Sequence, residues 1–226
     1  QLIDLNTPKV MGILNVTPDS FYDGGRFKDE KSMLIQVEKL LKEGATFIDI
    51  GAYSSRPGAD FVSEDEELKR LIPIVTLVHN TFPQCPISID SFRSRVIKAA
   101  VEAGAAMTND ISGGQLDPLM FETVGILGIP YIMMHMRGTP QNMQKMTDYS
   151  DVTKDVFTYF SERIQLAKKH HIKDIIIDLG FGFSKTKAQN FELLAMLDYY
   201  THLHLPILAG VSRKSMIYKT LNTTAC

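Results

Sequence analysis

Three polar residues come directly after short apolar runs of the kind that form β-strands, and each can accept hydrogen bonds. They are Asp90, Asn109 and Asp178. Two carboxylates and an amide at the bottom of an apolar pocket suit a ligand that is rich in N–H donors, such as an aminopyrimidinone ring, because an ionised carboxylate accepts two parallel hydrogen bonds. The alternative is that each residue caps the helix that follows it.

Two polar loops also follow predicted strands. The first, residues 15–25, combines an amide, two carboxylates and three hydroxyls with a pair of glycines. This composition predicts a loop that closes over a site, or else a turn network that only connects strand and helix. The second loop, residues 51–58, sets two serines and Arg56 between glycines. Hydroxyls and a guanidinium suit an oxyanion or a phosphate, although Arg56 can equally be a solvated surface residue.

A basic segment follows the last predicted strand. Lys214 would supply a fixed cation at a strand end, and Ser215 starts a predicted helix. Ser215 and the first backbone N–H groups of that helix would form a site for a carboxylate or a phosphate. The alternative is a basic residue that only lies on the rim of the fold.

Two further patterns do not predict a site. Residues 180–186 resemble a phosphate-binding loop, but the glycine before Lys185 is missing and Leu179 occupies the leading glycine position. Four histidines lack a third metal ligand in register, and we interpret them as surface or capping residues: His170, His171, His202 and His204. His135 ends a strand, where it could line a pocket or be structural.

The candidate site residues are positioned by an alternation of predicted strands and helices. The strand-like runs are residues 10–14, 47–50, 87–89, 106–108, 131–134, 174–177 and 207–209. Apolar residues at helical spacing follow them, in segments 33–41, 68–78, 96–103, 119–127, 152–169, 191–197 and 216–221. Strand runs that are apolar throughout and alternate with helices indicate a parallel sheet with right-handed crossovers.

Two architectures fit this pattern, the open doubly wound sheet and the (β/α)8 TIM barrel. Polar residues follow nearly every strand, which favours the barrel because all of its strands end at one mouth. An open sheet would concentrate them at one or two switch points. Seven strands are accounted for, so we expect the eighth β/α unit to lie outside this sequence. Residues 1–226 are therefore predicted to form a single barrel domain that is incomplete at its C-terminus.

Composition excludes several classes of protein. The 226 residues are 44% hydrophobic and 22% charged, with a net charge of -2, which gives no basic field for nucleic acid. The two cysteines are far apart and show no zinc-ligand spacing. No stretch approaches the roughly 18 apolar residues of a membrane span. We expect a soluble cytoplasmic protein with small-molecule ligands and no nucleic-acid or membrane partner.

Taken together, six segments resemble the dihydropteroate synthase family of folate biosynthesis. They are residues 11–25, 54–58, 88–90, 109–113, 178–183 and 212–214. The resemblance implies a TIM barrel that condenses 4-aminobenzoate with (7,8-dihydropterin-6-yl)methyl diphosphate, in the presence of Mg²⁺, to give 7,8-dihydropteroate and diphosphate. It also implies an SN1-like mechanism, inhibition by sulfonamides and a homodimer.

The resemblance assigns roles to individual residues. The pterin ring would be bound by Asp90, Asn109, Asp178 and Lys214. The 4-aminobenzoate site would be shaped by Ser55, Arg56, Pro57, Phe183 and Ser215. Asn15 would lie near the metal and the diphosphate, and Asp23 would lie in the closing first loop. The catalytic set would be Asp23, Arg56 and Lys214.

The sequence departs from the family at several positions. The second loop commonly reads Gly-Gly-Glu-Ser-Thr-Arg-Pro-Gly, whereas Ala52, Tyr53 and Ser55 stand at three of these places, and Leu179 replaces the proline after Asp178. The family's eighth strand carries a basic residue and a histidine that nothing here matches. Two alternatives remain, a pterin-dependent methyltransferase of the same fold and an inactive pterin-binding remnant.

Overall fold

The computed structural model describes residues 3–16, 26–53 and 62–224, including their side chains except those of residues 26–29. Strands and helices alternate through these ranges. The strands are β1 (Val10–Asn15), β2 (Ala45–Gly51), β3 (Ile87–Asp90), β4 (Met107–Asp110), β5 (Tyr131–Met134), β6 (Ile175–Asp178) and β7 (Ile207–Leu208). The helices are α1 (Arg26–Lys42), α2 (Glu64–Thr81), α3 (Ser94–Glu102), α4 (Met120–Leu127), α5 (Val152–Lys169), α6 (Lys187–Ala195) and α7 (Ser215–Tyr218).

All seven predicted strands are present, but several extend further than their apolar runs. Asp90 is the last residue of β3 and Asp178 the last of β6, while Asn109 is followed by one more residue of β4. The three polar residues therefore belong to the strands rather than to the loops after them. Their side-chain directions are set by strand pairing, which holds them more firmly than a loop would.

The last two helices differ from their predicted limits. The prediction placed a helix at 191–197, whereas α6 begins at Lys187 because Thr186 and Gln189 form a capping box at its N-terminus. Residues Leu197–Leu203 form a separate 3-10 helix. The predicted helix at 216–221 is shorter, since α7 covers only Ser215–Tyr218.

The chain divides into two compact units, and the first ends at Asn109. Strands β1 to β4 lie in chain order in this unit, each parallel to the next. Helix α1 packs on β1 and β2, and α2 packs on β2 and α3. Apolar side chains at helical spacing on α2, including Leu71, Val75 and Val78, are fully buried. The amphipathic pattern of the sequence therefore identifies the helix faces that cover these strands.

The second unit begins at Asp110, and its strands β5, β6 and β7 are also parallel and in chain order. Large rings fill its interior. Tyr131, Phe160 and Tyr200 are fully buried, and the rings of Phe160 and Tyr200 meet edge to face with centroids 6.5 Å apart. Burial of rings of this size contributes much of the unit's apolar core.

Asp110 is a buried structural carboxylate at the start of the second unit. It accepts hydrogen bonds from the Tyr131 hydroxyl at 2.7 Å, from the Ser112 amide and hydroxyl at 2.8 and 2.7 Å, and from the Gly114 amide at 2.7 Å. Burial raises the pKa of Asp110, and these donors oppose the shift. Asp110 therefore holds the turn after β4 against β5.

Both units show parallel strands that alternate with helices, which is the α/β class predicted from the sequence. Within each unit the strands follow one another in chain order, without the reversal that marks the switch point of a doubly wound sheet. That the whole chain forms a single domain stays a prediction. Among the described residues, no helix combines the length and the apolar character that a membrane span requires.

Candidate active site

The ends of the first four strands align four residues in one row. Asn15 pairs with Gly51, and Gly51 pairs with Asp90. Asp90 in turn pairs with Asn109. Paired residues of neighbouring parallel strands lie side by side on one face of the sheet. The row therefore brings the predicted pterin-binding pair Asp90 and Asn109 together and places the predicted metal residue Asn15 two strands away.

Gly51 makes room for the Asp90 side chain within this row. A Cβ atom at position 51 would lie 3.2 Å from both Cβ and Oδ2 of Asp90, which is closer than ordinary van der Waals contact. Asp90 is not the N-cap residue of helix α3, because Arg93 occupies that position and its side chain makes no cap hydrogen bond. Asp90 is thus kept at the strand end by pairing and by the space that Gly51 leaves.

A second, more deeply buried carboxylate lies beneath this row. Asp49 is only 5% exposed and lies two residues before Gly51 on β2, so the two face the same side. The Asn109 Nδ2 donates a hydrogen bond to Oδ2 of Asp49 at 3.0 Å. Burial raises the pKa of Asp49, while the side chains of Ser88 and Asn109 lower it in part. The Asn109 Oδ1 is buried and lacks a hydrogen-bond partner among the described residues.

Asp178, Phe183 and Lys214 lie together in the second unit. The Gly180 amide donates to Oδ1 of Asp178 at 2.8 Å, and the Lys214 Nζ lies 4.7 Å from the centroid of the Phe183 ring. A Cβ at Gly210, which precedes Lys214 on the same loop, would lie 3.7 Å from Oδ2 of Asp178. A buried carboxylate and an aromatic face from the end of β6 and its following turn are thereby brought together with a cation from the loop after β7.

Lys185 is a buried cation that supports the Asp178 turn. Its Nζ donates to the backbone carbonyls of His135 at 3.3 Å, Gly180 at 3.1 Å and Phe183 at 3.0 Å. Burial lowers the pKa of Lys185 to about 7, with Lys214 acting in the same direction and Asp178 opposing it. Lys185 thus binds three backbone carbonyls around the Asp178 turn.

His135 follows β5 and is buried, with an amide that donates to the carbonyl oxygen of Asp178 at 2.9 Å. Burial, together with the charges of Lys185 and Arg137, holds the pKa of His135 well below its usual value. The imidazole is therefore neutral near pH 7. It lines a cleft of about 480 Å³ whose other walls include Arg137, Tyr159 and Glu162.

The departure at Tyr53 has a structural explanation. The Tyr53 ring packs edge to face on Phe92 with centroids 5.2 Å apart, and the Arg93 guanidinium lies 5.3 Å from the Tyr53 centroid. Arg93 also donates to the Val62 carbonyl at 2.7 Å and forms an ion pair with the buried Glu67 at 2.5 Å. Arg93 therefore contacts both residues that flank segment 54–61.

The remaining predicted site residues differ in their exposure, and some of them lie outside the described part of the chain. Asn15 and Ser215 are exposed at the end of β1 and the start of α7, whereas Phe183 and Lys214 are half-buried. Four predicted residues lie outside the described residues: Asp23, Ser55, Arg56 and Pro57. His170 and His204 occupy the C-cap positions of α5 and of the 3-10 helix Leu197–Leu203, which confirms the capping interpretation for these two histidines.

The sequence predictions missed Asp49 and Lys185. Asp49 was one of the polar residues at strand ends that favoured the barrel, but it was given no role in the site, although a carboxylate in a fully buried strand is itself a signal of special function. Lys185 was predicted only as part of segment 180–186, which does not match a phosphate-binding loop. Its position seven residues after Asp178 gave no indication that it contacts three carbonyls.

The described residues contain no group of three His, Cys, Asp or Glu side chains that could hold a metal ion. Asn15 nevertheless offers an exposed amide at the end of β1. Mg²⁺ commonly takes only one or two protein ligands and completes its octahedron with water and substrate phosphates. The residues present therefore fit a Mg²⁺ ion that is bound mainly by an anionic substrate.

Comparisons with known proteins agree with the motifs. The family model of pterin binding enzymes matches residues 11–225. The dihydropteroate synthase of Haemophilus influenzae is 45% identical over 222 residues, which cover 97% of this chain and 80% of the relative.

Two solved structures are similar over nearly the whole chain. The Yersinia pestis dihydropteroate synthase in a sulfonamide drug complex has a TM-score of 0.90 at 42% identity, covering 99% of this chain and 81% of that one. The Xanthomonas albilineans enzyme with 4-aminobenzoic acid has a TM-score of 0.88 at 40% identity, covering 96% and 78%.

Proposed function

The chain belongs to the dihydropteroate synthase family of pterin-binding enzymes, and we propose on that premise that it condenses 4-aminobenzoate with (7,8-dihydropterin-6-yl)methyl diphosphate. The products are 7,8-dihydropteroate and diphosphate, so the enzyme is a transferase. The observation that carries the proposal is the pairing of Asp90 with Asn109 at adjacent strand ends, because these acceptors match the N–H groups of a pterin.

The pterin ring is proposed to bind to four residues. Asp90 and Asn109 supply acceptors from β3 and β4, and Asp178 supplies a buried carboxylate from β6. Lys214 adds a cation whose ammonium lies over the Phe183 ring, which limits the directions in which it can donate. These groups recognise both the donor edge and the carbonyl of the heterocycle, and hydrogen bonds to charged groups are each worth about 1.5–3 kcal/mol.

The 4-aminobenzoate site is proposed from the resemblance and includes Ser55, Arg56, Pro57, Phe183 and Ser215. Arg56 is suited to the carboxylate of this substrate because a guanidinium pairs with it bidentately. Phe183 contributes an aromatic face next to Lys214. Sulfonamides resemble 4-aminobenzoate in shape, so we propose that they compete for the same site, as the drug complex of the Yersinia relative supports.

The proposed chemistry needs no strong base. The bond between the methylene carbon and the diphosphate oxygen breaks first, and the electron-rich dihydropterin stabilises the resulting cation. The neutral amine of 4-aminobenzoate then forms the C–N bond and loses a proton to solvent. Asp90, Asn109 and Asp178 orient the ring, while the cationic Lys214 and Arg56 and the first-loop residue Asp23 complete the proposed catalytic set.

Mg²⁺ is proposed to be held by Asn15 together with the diphosphate, where it would neutralise the charge of the leaving group. Within the chain, Asn15 fixes the position of this contact because its pairing with Gly51 sets the end of β1. Removal of free Mg²⁺ with EDTA is expected to abolish diphosphate release, and addition of excess Mg²⁺ should restore it. Full activity in EDTA would contradict the assignment.

We further propose that the seven strands belong to a (β/α)8 barrel, which is one architecture within the α/β class. Ile13 of β1 is 60% exposed although it lies on the same face as Asn15. In the barrel of the family this face is interior, and an eighth strand beside β1 would cover it. A homodimer and a cytoplasmic location remain part of the proposal through the resemblance alone.

The function is tested by following both products of the purified protein. Diphosphate release should require the dihydropterin diphosphate, 4-aminobenzoate and Mg²⁺ together, and a sulfonamide should inhibit it. Methyl transfer from a methylated folate instead would favour the methyltransferase alternative. Pterin binding without any turnover would favour the inactive remnant.

A further inference from the structure

Asp49 has no role in the site as proposed so far, yet its burial requires an explanation. It is 5% exposed, and its hydrogen-bond partner Asn109 is a neutral amide instead of a cation. Transferring a carboxylate from water into a protein interior is unfavourable unless strong partners compensate it. A buried strand would be more stable with an apolar residue here. Asp49 therefore has a reason to be retained other than stability.

The geometry of the Asn109 amide suggests that reason. A carboxyl oxygen that carries no proton can only accept hydrogen bonds, so it attracts the NH₂ end of the amide and turns the amide oxygen to the other side. This is the arrangement found, with Nδ2 of Asn109 donating to Oδ2 of Asp49 at 3.0 Å. The Asn109 Oδ1 is left buried and without a partner among the described residues. The Asn109 Oδ1 atom can therefore still accept a hydrogen bond.

The position of Asn109 gives this orientation a consequence for ligand binding. Asn109 pairs with Asp90, and Asp90 pairs with Gly51, which follows Asp49 by two residues on β2. The Asp49 carboxylate lies one layer below the row and supports Asn109 from beneath. An amide that rotated by 180° about its terminal torsion would present NH₂ to the ligand in place of the oxygen.

We propose that Asp49 is a positioning residue that fixes the Asn109 amide with its oxygen towards the ligand, so that the site selects heterocycles that present an N–H donor there. The proposal rests on the function proposed above, because the ligand is taken to be a pterin. Asp49 would thus affect ligand specificity only through its contact with Asn109. A ligand with an acceptor at that position would face the Asn109 oxygen and be rejected.

The informative variant is Asp49→Asn, which keeps the size and shape of the side chain. An amide at position 49 can donate or accept, so it leaves both orientations of Asn109 open. The loss of one hydrogen bond, with two donors facing each other in part of the population, predicts a Kd for 6-hydroxymethylpterin that rises about tenfold to a hundredfold. The KM for the pterin substrate should rise similarly, while the KM for 4-aminobenzoate stays unchanged.

Thr108→Val is the matched control. Thr108 precedes Asn109 on β4, is fully buried, and faces the opposite side of the strand. Its hydroxyl has no partner among the described residues, so the substitution should leave pterin affinity unchanged. Urea unfolding of each variant reports whether the fold is retained. Asp49→Asn is expected to be at least as stable as the wild type, which separates loss of positioning from loss of structure.

A double-mutant cycle with Asn109→Ala tests whether Asp49 acts through Asn109. In the Asn109→Ala background, Asp49→Asn should change the Kd less than twofold, because the amide to be oriented is gone. Equal effects of Asp49→Asn in both backgrounds, or an unaltered Kd in the single variant, would overturn the inference while leaving the proposed function intact. A wild-type protein that binds no pterin would overturn both.

Discussion

The Nζ atom of Lys185 lies 3.1 Å from the carbonyl oxygen of Gly180, within the turn that follows Asp178. The same ammonium also bonds the carbonyls of His135 and Phe183, so one side chain ties the ends of β5 and β6 to the aromatic residue of the site. Gly180 adopts φ 67°, and its amide bonds the Asp178 carboxylate. Lys185 therefore holds the loop that orients Asp178 and Phe183.

Lys185→Met should impair catalysis without abolishing the fold. The three carbonyls lose their shared donor, and the turn between Gly180 and Phe183 is then less well fixed. Because small displacements of positioning groups are costly, kcat/KM for the pterin substrate is expected to fall about tenfold or more. Steady-state kinetics with each substrate varied in turn provide the measurement. Lys187→Met, at an exposed position of α6, is the control and should keep wild-type kinetics.

Stability should depend on pH through Lys185. Its pKa is about 7 in the folded protein and near 10.5 when unfolded, so between these values the unfolded state binds the extra proton. The free energy of unfolding contributed by this group therefore rises as the pH increases through 7 towards 9. Urea unfolding at pH 6 to 9 measures the free energy of unfolding of the wild type and of Lys185→Met. The difference between the two values isolates the contribution of Lys185, because the other titrating groups contribute equally to both proteins. A difference that does not change with pH would contradict the expectation.

Arg93→Met should destabilise the first unit strongly. Glu67 is only 1% exposed, and the substitution leaves its carboxylate buried without this cation. Breaking a buried pair in this way costs about 3–5 kcal/mol. Chemical denaturation provides the value, and the double variant Arg93→Met with Glu67→Leu should recover much of the loss. Arg95→Ala breaks only exposed pairs and should unfold almost as the wild type does.

Lys214→Ala and Asp178→Asn should each lower kcat/KM by about two to three orders of magnitude, because each removes a charge that is proposed to contact the pterin. Neither residue belongs to the apolar core, so circular dichroism should still report the native helix content. Diphosphate release provides the rate, with the exposed Lys219→Ala as a control that should remain active. Near-native rates in both variants would refute the proposed site.

The strand ends could be predicted because apolar runs of the right length stop at polar residues. Asp90, Asn109 and Asp178 were found in this way, since polar side chains at the end of a buried apolar run are unusual. Their neighbours across the sheet could not be predicted in the same way. Which residue of β2 pairs with Asp90 depends on register, and register depends on packing between elements that are distant in the sequence.

Two residues whose contacts the sequence did not predict, Tyr53 and Lys185, have in common that their partners lie elsewhere in the chain. Tyr53 was noted only as a departure from the family, and its packing against Phe92 and Arg93 depends on the position of α3. Lys185 was noted only as part of a failed phosphate loop. No local pattern indicates that a lysine will turn inwards to bind three carbonyls.

Asn109 and Asp110 are neighbours with different hydrogen-bond partners, since Asn109 donates to Asp49 and Asp110 secures a turn through four donors. Successive residues of a strand point to opposite sides. A deletion or insertion of a single amino acid in β4 would therefore exchange the surroundings of the two residues, and the hydrogen bonds of both would be lost. Insertions and deletions among homologues should consequently be absent from this strand and occur in the loops that connect the strands and helices. The length of β4 is therefore expected to vary little in evolution.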